Sequence, residues 1–206
     1  FSMLELAVSR DMEQWTRLSE PFIEPATLDE GVVNNYERML VYPTSRPVVR
    51  EQELLFYYGG SKAHMSAEKR YGTWSDGTAR DEDTLTDLER ADRAAGASAV
   101  YLATLRRDGF VSLDAGDTPG RLLTKAIEAD GDSLYLNLAC GDEGYAVVEL
   151  MGPDGDVAGV SRKLTGDQVT LPVHWEQGKT PDIQEGAPYK LRITLRRARL
   201  YALWFE

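Results

Sequence analysis

The feature that most constrains the fold is a pair of β-rich stretches, residues 53–60 and residues 99–114. The first, Glu-Leu-Leu-Phe-Tyr-Tyr-Gly-Gly, is an apolar and aromatic run that stops at two glycines. The second has apolar segments on both sides of Arg107-Asp108-Gly109, and Asp-Gly between apolar runs is a strong hairpin signal. Because these residue types suit a pleated, half-buried surface, the pattern predicts three consecutive antiparallel strands, most of one propeller blade.

From residue 122 onward, short apolar stretches alternate regularly with Gly, Asp and Pro turns. Strands are predicted near residues 122–128, 133–138, 145–151, 157–160, 169–175, 189–195 and 200–205. About seven short strands at this spacing indicate a β-sandwich. The last of them, Leu-Tyr-Ala-Leu-Trp-Phe, is too apolar for an exposed edge, so we expect it to be buried. The predicted fold class is therefore all-β.

Residues 61–98 depart from this β-rich pattern. Their first half is polar and carries glycines, whereas residues 81–95 are acidic at the start, helix-like in spacing and followed by Gly96. A connection this long inside a blade is unusual. We predict two domains: a propeller region over residues 1–118 that contains this insertion, and a β-sandwich over residues 119–206.

Several phrases of the chain carry a resemblance to a known family. They are Ser9-Arg10-Asp11 with Trp15, the run Phe56-Tyr-Tyr-Gly-Gly60, residues 102–116, and the closing strands 189–205. These phrases resemble bacterial proteins near glycoside hydrolase family 32, in the invertase, levansucrase and arabinanase superfamily. The resemblance implies the last part of a five-bladed β-propeller, about one to one and a half blades, followed by a β-sandwich. It also implies that the remainder of the propeller lies upstream of Phe1.

Two residues of the first phrase are expected to act structurally. The Asp11 carboxylate would accept hydrogen bonds from backbone amides of a hairpin turn, and Trp15 would pack between blades. A structural role for Asp11 is favoured over a catalytic one. Arg10-Asp11 is followed by Met12 rather than by proline, so the catalytic Arg-Asp-Pro motif of the resembled family is absent.

Retaining and inverting glycosidases both need two catalytic carboxyl groups at a set separation. The chain has 34 acidic residues, and their spacing in the sequence does not identify which two would form such a pair. In the resembled fold the catalytic residues lie in earlier blades. The resemblance therefore implies the C-terminal portion of a glycoside hydrolase, which contributes active-site rim and sandwich rather than the catalytic carboxylates. The alternative is a non-catalytic carbohydrate-binding or purely structural β-module.

The candidate sugar contacts are Tyr57, Tyr58, His64 and Arg46. A tyrosine ring stacks on a sugar, an imidazole donates a hydrogen bond, and an arginine in a proline-flanked loop reaches the propeller mouth. The alternative interpretation is that Phe56 and Tyr58 pack in the core and leave Tyr57 on the other face. The separate alternative for Arg46 and His64 is that each is an ordinary solvated residue.

The composition restricts partners and cofactors. A net charge of −11 repels phosphate backbones and anionic lipids, so nucleic acid and membrane are not expected, whereas carbohydrate is compatible. The single cysteine, Cys140, permits no internal disulfide, and with two histidines and no ligand motif we expect neither metal nor cofactor. No apolar run approaches the roughly 18 residues of a membrane span. No signal peptide is visible, and an extracellular or periplasmic location stays open.

Limited proteolysis tests the proposed domain organisation. We expect the first cuts within residues 61–98, since long polar connections that carry glycine are preferred cleavage sites. Residues 120–206, with local strand connections and well-specified turns, are expected to survive longest. Early cleavage within 120–206 while 61–98 stays intact would contradict this organisation.

Overall fold

The computed structural model describes residues 3–26, 40–61, 81–87, 90, 98–176 and 181–206. The described residues form an all-β protein, as the sequence predicts. They divide into two compact units. The N-terminal unit comprises Phe1–Arg50 and Leu54–Thr104, and the C-terminal unit comprises Glu51–Glu53 and Leu105–Glu206.

The N-terminal unit contains two small sheets. Its strands are β1 (Leu4–Val8), β2 (Thr16–Ile23), β3 (Leu40–Pro43), β4 (Val48–Val49), and most of β5 (Glu53–Ser61) and β6 (Ser98–Arg106). β1 and β2 form an antiparallel two-stranded sheet, whereas β3, β4 and β6 all pair with β5. A 3-10 turn spans Glu82–Thr84 within the predicted helix, most of whose remainder lies outside the described residues.

The turn between β1 and β2 confirms the structural role predicted for Asp11. Its Oδ1 accepts hydrogen bonds from the amides of Gln14 at 2.8 Å and Glu13 at 2.9 Å. Both hydrogen bonds lower the pKa of Asp11, and the one from Gln14 contributes most. Trp15 is 54% exposed beside a sheet of two strands, and its packing between blades stays a prediction.

The prediction of a hairpin over residues 99–114 is wrong. The turn itself forms: the Gly109 amide donates to the carbonyl of Arg106 at 2.9 Å, and Asp108 has a φ of 54°. The strands on its two sides nevertheless belong to different sheets, because β6 pairs with β5 and β7 (Leu113–Ala115) pairs with β13 (Pro188–Phe205). Pairing of β7 with the long strand β13 therefore replaces the pairing with β6 that the sequence predicts.

The C-terminal unit is one seven-stranded sheet organised around two long strands. Besides β7 and β13, its strands are β8 (Gly120–Leu123), β9 (Ile127–Glu128), β10 (Leu134–Met151), β11 (Val157–Val160) and β12 (Asp167–Pro172). β10 and β13 have 18 residues each and pair antiparallel along most of their length. β11 and β12 flank β10, whereas β7, β8 and β9 flank β13. As predicted, a turn at residues 152–156 joins β10 to β11.

Two pairs of predicted strands are in fact single strands. Residues 134–138 and 145–151 belong to β10, and residues 189–195 and 200–205 belong to β13. Where turns were expected, the register shifts between Cys140 and Tyr145, opposite Arg197, which has a φ of 44°. A Cβ at Gly144 would overlap the Arg197 carbonyl, so this close approach requires glycine. The glycines therefore build a β-bulge rather than a turn.

Both halves of the long strands contribute to one hydrophobic core. The fully buried residues include Leu136, Leu138, Val148, Leu150, Leu191 and Ile193. Successive members on each half are two residues apart, the period of side chains on one face of a strand. Within the closing segment, Leu200 and Phe205 are buried and the four residues between them are half-buried, so its predicted burial is confirmed only in part.

The core assignment predicts contrasting effects for two leucine truncations. Leu136→Ala is expected to lower the free energy of unfolding by about 2–5 kcal/mol, because Leu136 is 0% exposed and its removal leaves a cavity. Leu123→Ala is the matched control, since this side chain is 59% exposed and its loss should change stability by about 0.5 kcal/mol or less. Urea denaturation measures both, and equal losses would contradict the assignment.

Candidate ligand-binding surface

Strand β5 separates the two candidate tyrosines onto opposite faces. Tyr58 is 8% exposed and stacks on Tyr101 at 5.4 Å between ring centroids. On the same face, Phe56 makes an edge-to-face contact with Phe22, also at 5.4 Å. Tyr58 is therefore a packed residue in this structure, and the candidate that faces solvent is Tyr57, which is 42% exposed.

A second exposed tyrosine lies next to Tyr57. Tyr42 of β3 pairs with Gly59, and its ring lies directly over this glycine, where a Cβ would overlap it. Since Tyr57 and Gly59 are two residues apart on one strand, Tyr42 and Tyr57 share a face of the sheet. Tyr42 is 44% exposed. Sequence reasoning missed Tyr42, although an aromatic residue opposite a strand glycine is a recognised pairing.

Two contacts define the register between β5 and β6. The Ser98 hydroxyl donates to the Ser61 hydroxyl oxygen at 3.2 Å, and Tyr101 stacks on Tyr58. Residues later in β5 therefore lie opposite residues earlier in β6, so the two strands are antiparallel.

This register extends the solvent-facing surface onto β6. It places Leu102 opposite Tyr57 and Val100 opposite Gly59, and these two side chains are 50% and 70% exposed. Tyr42, Tyr57, Val100 and Leu102 together are called the tyrosine face below. Three adjacent strands carry it, so its backbone is held by ladder hydrogen bonds.

The connection between β3 and β4 is hydrogen-bonded to the backbone of β5 next to the tyrosine face. The amide and the hydroxyl of Thr44 both donate to the Tyr57 carbonyl, at 3.3 and 2.7 Å. Arg46, two residues further on, is exposed and has no ion pair among the described residues. The remaining candidate, His64, lies outside the described residues.

In the part of the chain that the structure describes, no three His, Cys, Asp or Glu side chains lie together as a metal site. Burial raises the pKa of the Cys140 thiol, which disfavours the nucleophilic thiolate. None of the described helices is long and apolar enough to cross a bilayer.

Comparison with known proteins yields no match to a family model, to a curated protein or to a solved structure. The likeness to family 32 glycoside hydrolases is therefore carried by the sequence phrases alone and stays a prediction.

The contact between Gly59 and Tyr42 predicts a selective effect of Gly59→Ala. The added Cβ overlaps the far end of the Tyr42 ring, which can rotate away, so the ring resonances of Tyr42 should shift in NMR spectra. The free energy of unfolding should fall by no more than about 1 kcal/mol.

The matched control is Gly116→Ala, because a Cβ at that position meets nothing within 4 Å. It should leave the Tyr42 resonances unchanged. Unshifted Tyr42 resonances in Gly59→Ala would show that the ring does not lie over Gly59.

Proposed function

We propose that this chain is the C-terminal portion of a glycoside hydrolase, a propeller blade region followed by a β-sandwich, and that its tyrosine face contacts the carbohydrate. In this proposal the catalytic carboxylates are supplied from outside the chain. The observation that carries the proposal is the exposure of Tyr42 and Tyr57 side by side on one sheet face. The resemblance of the sequence phrases supports the family, and the tyrosines support the ligand class.

Exposed tyrosines on strands suit carbohydrate for a physical reason. A sugar ring presents an apolar C–H face that packs on an aromatic ring, and its hydroxyls exchange hydrogen bonds with a phenol. One such contact with one hydrogen bond is worth about 1–3 kcal/mol. Because the backbone of β3 and β5 is held by the ladder, little conformational entropy is lost on binding. A net charge of −11 does not oppose a neutral glycan.

A second candidate function is a purely structural one, in which the tyrosine face packs against another protein segment. The exposure of Val100 and Leu102, 70% and 50%, favours this alternative because aliphatic side chains bind sugars poorly. The two functions differ in what they require of the tyrosine hydroxyls. Packing needs only the rings, whereas sugar recognition also uses the phenolic oxygens.

The experiment measures glycan affinity and turnover in the full-length protein over a panel of fructans, arabinans and xylans. Tyr42→Ala and Tyr57→Ala are each expected to weaken binding by about 5- to 150-fold, the range that corresponds to about 1–3 kcal/mol. Tyr57→Phe, which removes only the hydroxyl, should weaken it by about tenfold or less. His64→Ala tests the remaining candidate in the same assay.

Trp15→Ala is the matched control, since it removes an exposed aromatic ring outside the tyrosine face. It should leave glycan affinity unchanged. If the tyrosine variants keep wild-type affinity and rate at an unchanged melting temperature, the face does not bind sugar. A lowered melting temperature with unchanged affinity would instead support the structural alternative.

A further inference from the structure

A cleft opens on the outer face of the C-terminal sheet, on the side away from the hydrophobic core. It has a volume of about 400 Å³ and is framed by β8, β13, β10 and the segment that follows β11. Its floor includes Val147 and Thr194, which are paired partners on the two long strands. The cleft belongs to the C-terminal unit alone and is distinct from the tyrosine face.

The cleft concentrates positive charge in a strongly acidic protein. Three cations line it, Arg121, Lys163 and Arg192, against one carboxylate, Glu149. The Arg192 Nη1 lies 3.1 Å from the Glu149 Oε2, so these two charges compensate each other. Arg121 and Lys163 have no acidic partner among the residues that the structure describes. The cleft therefore has two uncompensated cations, although the chain carries a net charge of −11.

The strand order holds these two cations on opposite sides of the cleft. Arg121 lies on β8, paired with Thr194 of β13, and Lys163 follows β11 on the far side of β10. Strands β8 and β11 are three strand spacings apart, about 14 Å. The Lys163 Nζ lies 4.7 Å from the centroid of the Tyr145 ring, which holds the ammonium over the cleft by a cation–π contact.

From this arrangement we infer that the cleft binds an anionic saccharide, a sugar unit that carries a carboxylate or a sulfate. The two free cations supply the attraction for the acidic group. A volume of about 400 Å³ is far larger than a bare inorganic anion needs and accommodates one or two sugar rings. The apolar side chain of Val147 provides a floor for ring C–H groups. The Arg192–Glu149 pair provides both a donor and an acceptor for hydroxyls.

The experiment titrates the full chain by calorimetry with α-1,4-linked digalacturonate and with α-1,4-linked galactobiose, which has hydroxymethyl groups in place of the carboxylates. Digalacturonate is expected to bind at least about tenfold more tightly, and its affinity should fall as salt screens the exposed charges. A parallel pair, galactose 6-sulfate and galactose, establishes whether a sulfate replaces the carboxylate. Equal affinity for the charged and neutral member of both pairs would overturn the inference. So would inorganic sulfate binding as tightly as the charged saccharides.

Variants locate the binding within the molecule. Arg121→Gln and Lys163→Gln should each raise the dissociation constant of the charged saccharide about three- to tenfold. Lys125→Gln makes the same charge change at an exposed lysine outside the cleft, so it should leave the constant unchanged. An equal effect of all three variants, or no effect of the first two, would overturn the site. Tyr57→Ala should not alter this binding, which separates the cleft from the tyrosine face.

Discussion

The C-terminal unit depends on one interaction, the antiparallel ladder between β10 and β13. The pairing runs from Leu134 opposite Phe205 to Met151 opposite Lys190, and the other strands of the sheet attach to one of these two strands. A slip of one residue would turn the buried side chains of one of the two strands toward solvent, so the apolar alternation specifies the register strongly. The β-bulge at Gly144 allows side chains from both halves of each strand to pack in the same core.

A buried polar network accompanies this ladder at its other irregularity. Asn137 is 0% exposed, and the register shifts between it and Leu138. Its Oδ1 accepts a hydrogen bond from the Arg106 Nε, and its Nδ2 donates to the Arg107 carbonyl at 2.7 Å. The Arg106 guanidinium also donates to the Leu138 carbonyl and lies 5.0 Å from the centroid of the Tyr201 ring. Buried polar atoms need such partners, so this network fixes where the chain enters the C-terminal unit after β6.

The two candidate binding surfaces follow from the same property of sheets. A strand places alternate side chains on opposite faces, so the residues that build a core leave a second set in solvent. In the N-terminal unit that second set is aromatic and aliphatic, with Tyr42 and Tyr57 adjacent. In the C-terminal unit that second set includes the cations Arg121 and Lys163, which line the cleft. We therefore expect the first surface to favour neutral ligands and the second to favour anions.

The sequence by itself determined the all-β class, the turn built on Asp11 and the turn at residues 152–156, because turn chemistry acts between neighbouring residues. Its alternation also raised the possibility that Tyr57 faces away from Phe56 and Tyr58. Only the tertiary structure decided which strands pair. The turn at Gly109 forms without a hairpin, the two longest strands were each expected as two, and Tyr42 reaches Gly59 only through the pairing of β3 with β5. The residues of a segment determine that it forms a strand. Which strand it pairs with depends on the other strands available in the folded protein, many of them distant in the sequence.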